Sequence, residues 1–282
     1  MIGFLNINKP SGVSSAFITN KLKHALKEKV GHLGTLDPMA TGVLPVAIGK
    51  ATRLFDYFLN KNKEYIFTIK FGTETDTLDI TGKVTKENDL VPTKSQILKI
   101  LPQFIGKINQ IPPQFSAKSV NGQKAYKLAR QGEMVDLKPK EVEIFGLELL
   151  KFKNKEATFK MQCTSGTYVR SVCRDLASSL GTIATTTQIY RTKSGVFNIE
   201  NSIALEDAIG NAENHIIRIE DALKNVPQIA ITKEEENALL CGKQVKLNAP
   251  DCNACLLITE THCVYGLAKI YGGQVKVLSF LL

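Results

Sequence analysis

A segment rich in glycine and proline, residues 31–42, constrains the fold near the start of this chain. It reads Gly-His-Leu-Gly-Thr-Leu-Asp-Pro-Met-Ala-Thr-Gly, and four of its twelve residues are Gly or Pro. Such residues favour turns with unusual backbone angles and interrupt any helical or strand period. We therefore predict that this stretch, called here the Asp37 segment, is a loop that presents Asp37. An Asx-turn into Pro38 is an alternative role for this carboxylate.

Length and composition predict a globular protein with one large domain and a small one. The chain has 282 residues, of which 43% are hydrophobic and 22% charged, far from a disordered composition. Its initial apolar run is too short for a signal peptide, and no later run reaches the roughly 18 apolar residues of a membrane helix. We therefore expect a cytoplasmic protein that does not enter a membrane. The scattered cysteines favour reduced thiols.

The formal net charge of +9 is confined to the first 230 residues, because residues 231–282 hold five lysines and five acids. Residues 107–140, called here the basic segment, hold seven basic residues against two acidic ones. Lys118 and Arg130 are among them. Such a cluster is typical of a protein that binds a polyanion.

The spacing of apolar residues predicts strands and helices in an α+β fold. Tyr65, Phe67, Ile69 and Phe71 alternate with their neighbours until Gly72, so they share one face of a strand. The run 157–163 alternates in the same way and predicts a second strand.

A helix is predicted directly after this second strand. Apolar residues between 169 and 180 follow helical spacing, with Thr167 as the predicted N-cap and Gly181 as the stop. Tyr168 and Arg170 then lie in the first helical turn, a common position for groups that line a cleft. Shorter helices are predicted at 53–59 and 97–105.

The C-terminal part predicts a small β domain. Thr232-x-x-Glu235 is a capping-box pattern, and Gly242 ends the helix that follows it. Strand-like runs follow near 244–247, 255–259, 263–270 and 274–280. We therefore predict domains over 1–230 and 231–282.

The basic segment is predicted to be a mobile insertion on the first domain. Asn121-Gly122 is a strong turn signal, and the helical turn at 125–130 has little apolar surface to bury. Its charge predicts that it contacts a polyanionic partner.

Three familiar kinds of site are disfavoured by spacing. Between Gly42 and Gly49-Lys50 six residues separate the glycines where a phosphate-binding loop needs four, and Ala51 follows. Cys252-x-x-Cys255 with His262-Cys263 suggests zinc, but the gap from Cys to His is shorter than in zinc fingers. We therefore expect free thiols and no metal. His32 could be a general base, but a lone His in a glycine-rich loop is more often structural.

The Asp37 segment resembles the catalytic loop of the TruB family of tRNA pseudouridine synthases. It matches G-H-x-G-x-L-D-P-x-A-x-G at every fixed position. Four further blocks are similar to this family, at 7–15, 63–79, 110–118 and 165–170, so the resemblance covers most of residues 3–197. It implies an isomerase that converts the uridine at position 55, in the TΨC arm of tRNA, to pseudouridine.

The resemblance also implies a fold and a set of partners. The fold is that of pseudouridine synthases, with a large, mostly antiparallel mixed sheet, a central cleft and a small C-terminal PUA-like domain. The only implied partner is tRNA. No protein partner is implied, so we expect a monomer.

The reaction explains why these residue types are needed. It breaks the N1–C1′ bond of uridine and joins C5 to C1′, with no redox change and no hydrolysis, so no cofactor is expected. The resemblance implies that Asp37 attacks C1′ or assists elimination to a glycal, and both routes remain open. It implies that Arg170 keeps Asp37 charged and aimed, and that Tyr65 stacks on the target uracil.

The target base must be flipped out of folded RNA before Asp37 can reach its sugar. By resemblance, His32 fills the gap that the base leaves, Asp79 pairs with a displaced neighbour, Lys9 orders the Asp37 segment or touches phosphate, and Tyr168 and Ile189 line the base pocket. One departure follows. The family usually has Leu-Arg-Arg where this chain has Ile-Tyr-Arg at 189–191, which affects a contact to RNA or within the fold but not the nucleophile.

Two other functions compete with this interpretation. A non-catalytic tRNA-binding or tRNA-folding protein of the same fold is disfavoured because Asp37, Tyr65 and Arg170 are all present. A glycosidase-like hydrolase is disfavoured because no second carboxylate occurs in a comparable motif.

Overall fold

The computed structural model describes residues 1–120 and 122–282. The strands of this described chain are β1 (Gly3–Lys9), β2 (Val30–His32), β3 (Thr41–Ile48), β4 (Lys63–Phe71), β5 (Thr73–Thr75), β6 (Val84–Glu87), β7 (Gly106–Gln110), β8 (Ser119–Val120), β9 (Gln123–Lys124), β10 (Lys140–Lys153), β11 (Glu156–Cys163), β12 (Ala184–Ser194), β13 (Phe197–Asn198), β14 (Gln228–Ile231), β15 (Cys252–Thr259), β16 (Val264–Tyr271) and β17 (Gln274–Phe280). Its helices are α1 (Ser15–Leu26), α2 (Phe55–Leu59), α3 (Lys94–Ile100), α4 (Ala125–Arg130), α5 (Val169–Ser179), α6 (Leu205–Gly210), α7 (Ala212–His215), α8 (Ile219–Ala222) and α9 (Lys233–Leu240). Short 3-10 helices cover Gly49–Leu54, Leu101–Phe104 and Ile199–Asn201.

One large sheet of nine strands organises the described chain. Its order is β1-β3-β12-β4-β11-β10-β7, with β2 paired to β3 and β13 paired to β12. β12 runs parallel to β3, whereas the other neighbours along this path are antiparallel. The structure therefore confirms the expected mixed, mostly antiparallel sheet and the α+β class.

The predicted alternation of β4 and β11 is confirmed. The four alternating residues of β4 that were assigned to one face are all buried in the main core, as are those of β11. α1 and α5 contribute to the same core through Leu22 and Val172. Burial of one such aliphatic side chain stabilises the fold by about 1.5–3 kcal/mol, so this core fixes the face of the sheet.

The middle of the sheet brings separate parts of the chain together. β12 lies between β3 and β4, so Arg191 pairs with Gly42 on one side and with Tyr65 on the other. The Asp37 segment connects β2 to β3, and α5 packs against β12. The residues of the candidate site therefore converge on this part of the sheet.

Helix α5 begins one residue later than an N-cap at Thr167 predicts. Its N-cap residue is Tyr168, which makes no side-chain cap. The Thr167 hydroxyl instead donates to the Thr164 carbonyl at 2.9 Å, and the Gln110 side chain accepts the Tyr168 N–H at 2.8 Å. The predicted N-cap is therefore wrong, because a residue from β7 satisfies this end of the helix.

The other two predicted helices are each divided into an α-helical and a 3-10 part. The stretch 53–59 ends the 3-10 helix at Leu54 and continues as α2. α3 ends at Ile100, and a 3-10 helix follows with Pro102 in its first turn, where the missing N–H of proline costs little. No helix in the described chain is long and apolar enough to cross a membrane.

The C-terminal part forms a separate sheet in the order β14-β15-β16-β17. The capping box at Thr232 and Glu235 is confirmed. The predicted strand at 244–247 is wrong, because Lys246 makes only an isolated bridge to Gln274. The sheet begins at Gln228, so the expected boundary after residue 230 falls within β14.

The two sheets share a second core. Phe4, Phe58 and Phe197 from the N-terminal part pack in one buried cluster with Leu256 and Leu267 from the C-terminal sheet. The small sheet is therefore anchored on the large one by apolar contacts.

The basic segment begins and ends in the large sheet, in β7 and at the first residue of β10. Residues 111–139 connect these strands, and we call them the basic arm. Gln114 closes the arm by two hydrogen bonds to the backbone of Val135, at 2.9 and 3.1 Å. β8 and β9 pair in antiparallel fashion. The predicted turn at Asn121-Gly122 includes Asn121, which lies outside the described residues.

Candidate active site

Asp37 and Arg170 form an ion pair. Arg170 Nε donates to Asp37 Oδ2 at 2.8 Å, while Nη1 donates to the Thr77 carbonyl at 2.8 Å and Nη2 to the Phe115 carbonyl at 2.9 Å. The Arg170 side chain is 3% exposed, whereas that of Asp37 is 33% exposed. The guanidinium is thus fixed on three sides, and the carboxylate that it holds stays open to solvent.

The backbone around Asp37 is held by residues of β1 and α1. Lys9 is fully buried, and its Nζ donates to the carbonyls of Pro38 and Ala40 at 3.1 and 2.7 Å. The Ser15 hydroxyl accepts the Leu36 N–H at 2.8 Å. Burial lowers the pKa of Lys9 to about 8, and the Asp37 charge acts in the opposite direction. The Lys9 ammonium is thus bonded to the backbone of the Asp37 segment, and its two expected roles stay predictions.

Two tyrosines lie near the Asp37 carboxylate. Burial raises the pKa of both Tyr65 and Tyr168, and the negative charge of Asp37 raises each further. Arg191 opposes this effect at Tyr65, and the Ser116 hydroxyl opposes it at Tyr168. Both phenols are therefore neutral at neutral pH. They can stack or donate a hydrogen bond beside the carboxylate.

Asp79 is the second carboxylate on Arg170. Its Oδ2 lies 3.5 Å from Arg170 Nη1. Its Oδ1 accepts from the Thr77 hydroxyl at 2.9 Å and from the Thr81 N–H and hydroxyl at 2.9 and 2.5 Å. This carboxylate is buried, and its two oxygens face Arg170 and the donors of Thr77 and Thr81.

His32 and Ile189 lie at the margins of this group. His32 is half-buried on β2, burial and the nearby Arg191 lower its pKa, and its Nδ1 has no hydrogen-bond partner in the described chain. Ile189 is buried on β12 beside Phe67. Neither bonds to Asp37 or Arg170 in the described chain. The neutral imidazole is compatible with filling a gap between bases.

Lys118 and Arg130 lie on the basic arm, outside the ion-paired cluster. Lys118 Nζ donates to the Lys138 carbonyl at 3.0 Å, and the Arg130 guanidinium lies over the Tyr126 ring. The arm nevertheless reaches the cluster through the Phe115 carbonyl, which accepts from Arg170. The N-terminal end of the basic arm, at Phe115, is therefore part of the site.

Arg191 is a buried residue of this cluster that was not predicted from the sequence. This side chain is 1% exposed and donates to the carbonyls of Val43 at 2.7 Å, Gly34 at 3.0 Å and Thr35 at 3.3 Å. A usable signal existed, because Arg191 lies two residues after Ile189 in an extended run and so shares its face. Lys63 has the same relation to Tyr65 and is also buried.

The structure gives the zinc alternative no support. Cys252 is half-buried, Cys255 is buried, and His262 and Cys263 are exposed. No group of three or more metal-ligating side chains is gathered anywhere in residues 1–120 and 122–282. The six cysteines are free.

Comparison with protein families gives a match over residues 22–169 to the TruB family pseudouridylate synthase N-terminal domain. The chain is 41% identical over 249 residues to tRNA pseudouridine synthase B of Rickettsia akari (strain Hartford), covering 86% of this chain and 85% of the relative. It is 36% identical to tRNA pseudouridine synthase B of Aquifex aeolicus (strain VF5), covering 97% of both chains.

Solved structures of the same fold are more distant in sequence. A chain in a Cbf5-Nop10-Gar1 complex superposes with a TM-score of 0.75 at 24% identity, covering 99% of this chain and 85% of the other. A chain in an H/ACA RNP bound to a substrate RNA gives a TM-score of 0.74 at 22% identity, with the same coverage. At this level of identity, the likeness concerns the fold.

Proposed function

Because the chain belongs to the TruB family of pseudouridylate synthases and is a pseudouridine synthase, we propose that it isomerises uridine 55 in the TΨC arm of tRNA. The names of its relatives support tRNA as the substrate. The observation that carries the chemistry is the pair of Asp37 and Arg170, in which a fixed guanidinium holds a carboxylate that is still one-third exposed.

In this proposal Asp37 is the catalytic carboxylate. It attacks C1′ with cleavage of the N1–C1′ bond, or it assists elimination to a glycal. Either route ends with a C5–C1′ bond and release of the C5 proton. Arg170 is held by Thr77, Phe115 and Asp79, so the carboxylate needs little reorganisation when charge moves.

The aromatic and imidazole groups serve base flipping. The flipped uracil stacks on Tyr65, with Tyr168 and Ile189 lining its pocket, and neutral His32 fills the gap in the RNA. Asp79 pairs with a displaced base only if RNA binding frees it from its present partners. Tyr65 is buried here, so the base reaches it after a local opening.

The basic arm grips the RNA backbone in this proposal, and Lys118 and Arg130 are its assigned contacts. Lysine and arginine side chains bind phosphates and release counterions, which favours association with a polyanion. We place the protein in the cytoplasm in this proposal. The proposed working form is a monomer with domains over 1–230 and 231–282. The Cbf5 relatives of similar fold occur with partner proteins, so light scattering of the purified chain is the check on the monomer.

The test uses a TΨC stem–loop that carries tritium at C5 of uridine 55. We expect tritium release without loss of uracil, and the same rate in EDTA, because the reaction is redox-neutral. A stem–loop with cytidine at position 55 and tritium at C5 of the other uridines is the control and releases none. Free uracil among the products would indicate a hydrolase. Binding without release would indicate a non-catalytic RNA-binding protein.

A further inference from the structure

Arg191 is a buried cation whose bonds go to the backbone on both sides of Asp37. Three of its N–H groups donate to carbonyls of Gly34 and Thr35, which precede Asp37, and of Val43, which follows it. Removing a guanidinium from water costs several kcal/mol, so such a residue is tolerated only where its hydrogen bonds are satisfied. A planar fork can hold several acceptors in one fixed geometry.

The glycines of the Asp37 segment permit this close approach. A Cβ on Gly42 would clash with the Arg191 carbonyl oxygen, and Gly42 has a φ of +96°. A Cβ on Gly34 would lie at an ordinary contact distance of 3.8 Å from Arg191 Nη1, so glycine is favoured there by its φ of +134° and not by space. The backbone of β12 and its arginine therefore shape the loop at both ends.

The strand that carries Arg191 also borders the tyrosine side of the site. Arg191 is the cross-strand partner of Tyr65 in the pairing of β12 with β4. Arg191 therefore bonds through its guanidinium to the loop that carries the carboxylate, and it pairs through its backbone with the strand that carries the proposed base-stacking ring.

We propose that Arg191 is a positioning residue for the reaction, which fixes the Asp37 segment so that the carboxylate meets Arg170 and C1′ in one geometry. This inference rests on the proposed role of Asp37. A displacement of about 1 Å can cost about 100-fold in rate. Replacement of Arg191 therefore lowers the rate of the chemical step more than it lowers RNA affinity.

Lys63 provides a matched control. It is also buried beside Gly34, where its Cε lies 3.9 Å from the same Cβ position, but its Nζ has no hydrogen-bond partner in the described chain. At pH 6, where Lys63 is protonated, Lys63→Met thus removes a nearby buried charge without removing a bond to the loop. It separates an effect of charge from an effect of the clamp.

The experiment measures single-turnover tritium release at saturating stem–loop, RNA affinity and thermal unfolding for Arg191→Lys, Arg191→Met, Lys63→Met and Asp37→Asn. Rates are expressed per folded molecule. If Arg191 served stability alone, the rate per folded molecule would not change. We expect about a 100-fold lower rate for Arg191→Lys, with affinity within about 3-fold, and a larger loss for Arg191→Met. Lys63→Met keeps a rate within about 3-fold of wild type. If Arg191→Met does not fold, Arg191→Lys decides.

Three results overturn the inference. They are a wild-type rate for folded Arg191→Lys, an equal loss in Lys63→Met, and a loss of affinity that accounts for the whole defect. An active Asp37→Asn variant would instead remove the proposed function itself. Inactive Asp37→Asn combined with fully active Arg191 variants removes only the role of Arg191.

Discussion

Two loops each place a carboxylate against the Arg170 guanidinium. The two carboxylates differ in their exposure and in their hydrogen bonds. Asp37 lies in a loop that leaves its side chain 33% exposed and holds it by one bond from Arg170. Asp79 lies in the turn after β5, is 6% exposed, and accepts from Thr77 and Thr81 while facing Arg170. Residue type alone therefore does not decide which carboxylate reacts.

The difference comes from how each loop is supported. The loop of Asp37 is held through its backbone by Lys9, Ser15 and Arg191. The Asp37 carboxylate is therefore not needed to hold the loop. The loop of Asp79 is fixed through the side chain, because the carboxylate itself closes the turn. Buried carboxylates require such donors, whereas an open one keeps free lone pairs for a substrate. The comparison supports the proposal that Asp37 reacts and that Asp79 positions Arg170.

The strongest test of this comparison is Asp37→Asn. The amide keeps the shape but lacks the nucleophilic charge, so we expect turnover to fall by about 10⁴-fold or more, with RNA affinity within a few-fold. Single-turnover tritium release and filter binding measure the two quantities. Activity near that of wild type would show that the exposed carboxylate is not the reacting one.

Arg170→Lys tests the group that the two loops share. A lysine cannot donate to Asp37, Thr77 and Phe115 together, so we expect the saturated rate to fall about 100- to 1000-fold. Arg174→Lys is the control in the same helix, since Arg174 is half-buried and bonds to Asp175 and the Ile111 carbonyl. Equal losses in both variants would indicate a general effect on α5.

Asp79→Asn should have a smaller effect than either change. The amide can still accept from Thr77 and Thr81, but it no longer balances the charge of Arg170, so we expect a rate loss of about 10-fold and a stability loss of about 1–2 kcal/mol. Asp76→Asn, in the same turn and exposed, is the control. A loss as large as that of Asp37→Asn would break the comparison between the two loops.

In the described chain, the basic arm contacts the guanidinium that the two loops share through the Phe115 carbonyl. Replacement of Lys118, Lys124, Lys127 and Arg130 by Gln should weaken tRNA binding and flatten its salt dependence, by roughly one in slope for each lost phosphate contact. The saturated rate should change much less, because Phe115 still holds Arg170. Neutralising Lys243, Lys246, Lys269 and Lys276 in the C-terminal part is the control. An unchanged slope for the arm variant contradicts its phosphate role.

Local patterns predicted the elements of the site but not its supports. Alternation at 65–71 identified β4 and its buried face, and glycine and proline identified the loop of Asp37, because both signals lie in consecutive residues. The partners of Arg170 come from residues 37, 77–79 and 115, which no local pattern relates. The cap of α5 was missed for the same reason, since Gln110 supplies it from another strand.

The burial of two basic residues, Lys63 and Arg191, was also not predicted from the sequence. Charged residues are expected on the surface, and only the parity of β4 and β12 places Lys63 and Arg191 inside. Sequence also could not distinguish them from each other. Arg191 donates hydrogen bonds to three carbonyls, whereas Lys63 Nζ has no hydrogen-bond partner in the described chain. This difference depends on the path of the Asp37 segment, which is distant from both residues in sequence.

The smallest catalytic effect is expected for Lys63→Met, which instead reports on the cost of burying a charge next to the Asp37 segment. Burial lowers the pKa of Lys63 from 10.5 to about 7, and Arg191 adds to this effect. Between these values the unfolded chain binds more protons than the folded one, so the free energy of unfolding rises with pH from about 7 to 10.5. Below pH 7 the full penalty of the buried charge remains.

Met fills a similar volume without that charge, so we expect Lys63→Met to be about 3 kcal/mol more stable than wild type at pH 6, with the gain shrinking towards pH 10. Denaturant unfolding at several pH values measures it. Lys70→Met, on the exposed face of the same strand, is the control and should leave the pH profile unchanged. Some slope persists in the variant because the pKa of Lys9 is lowered in the same direction. A variant that is less stable than wild type at pH 6 would mean that Lys63 forms a favourable contact beneath the Asp37 segment, and the loop would then rest on two clamps instead of one.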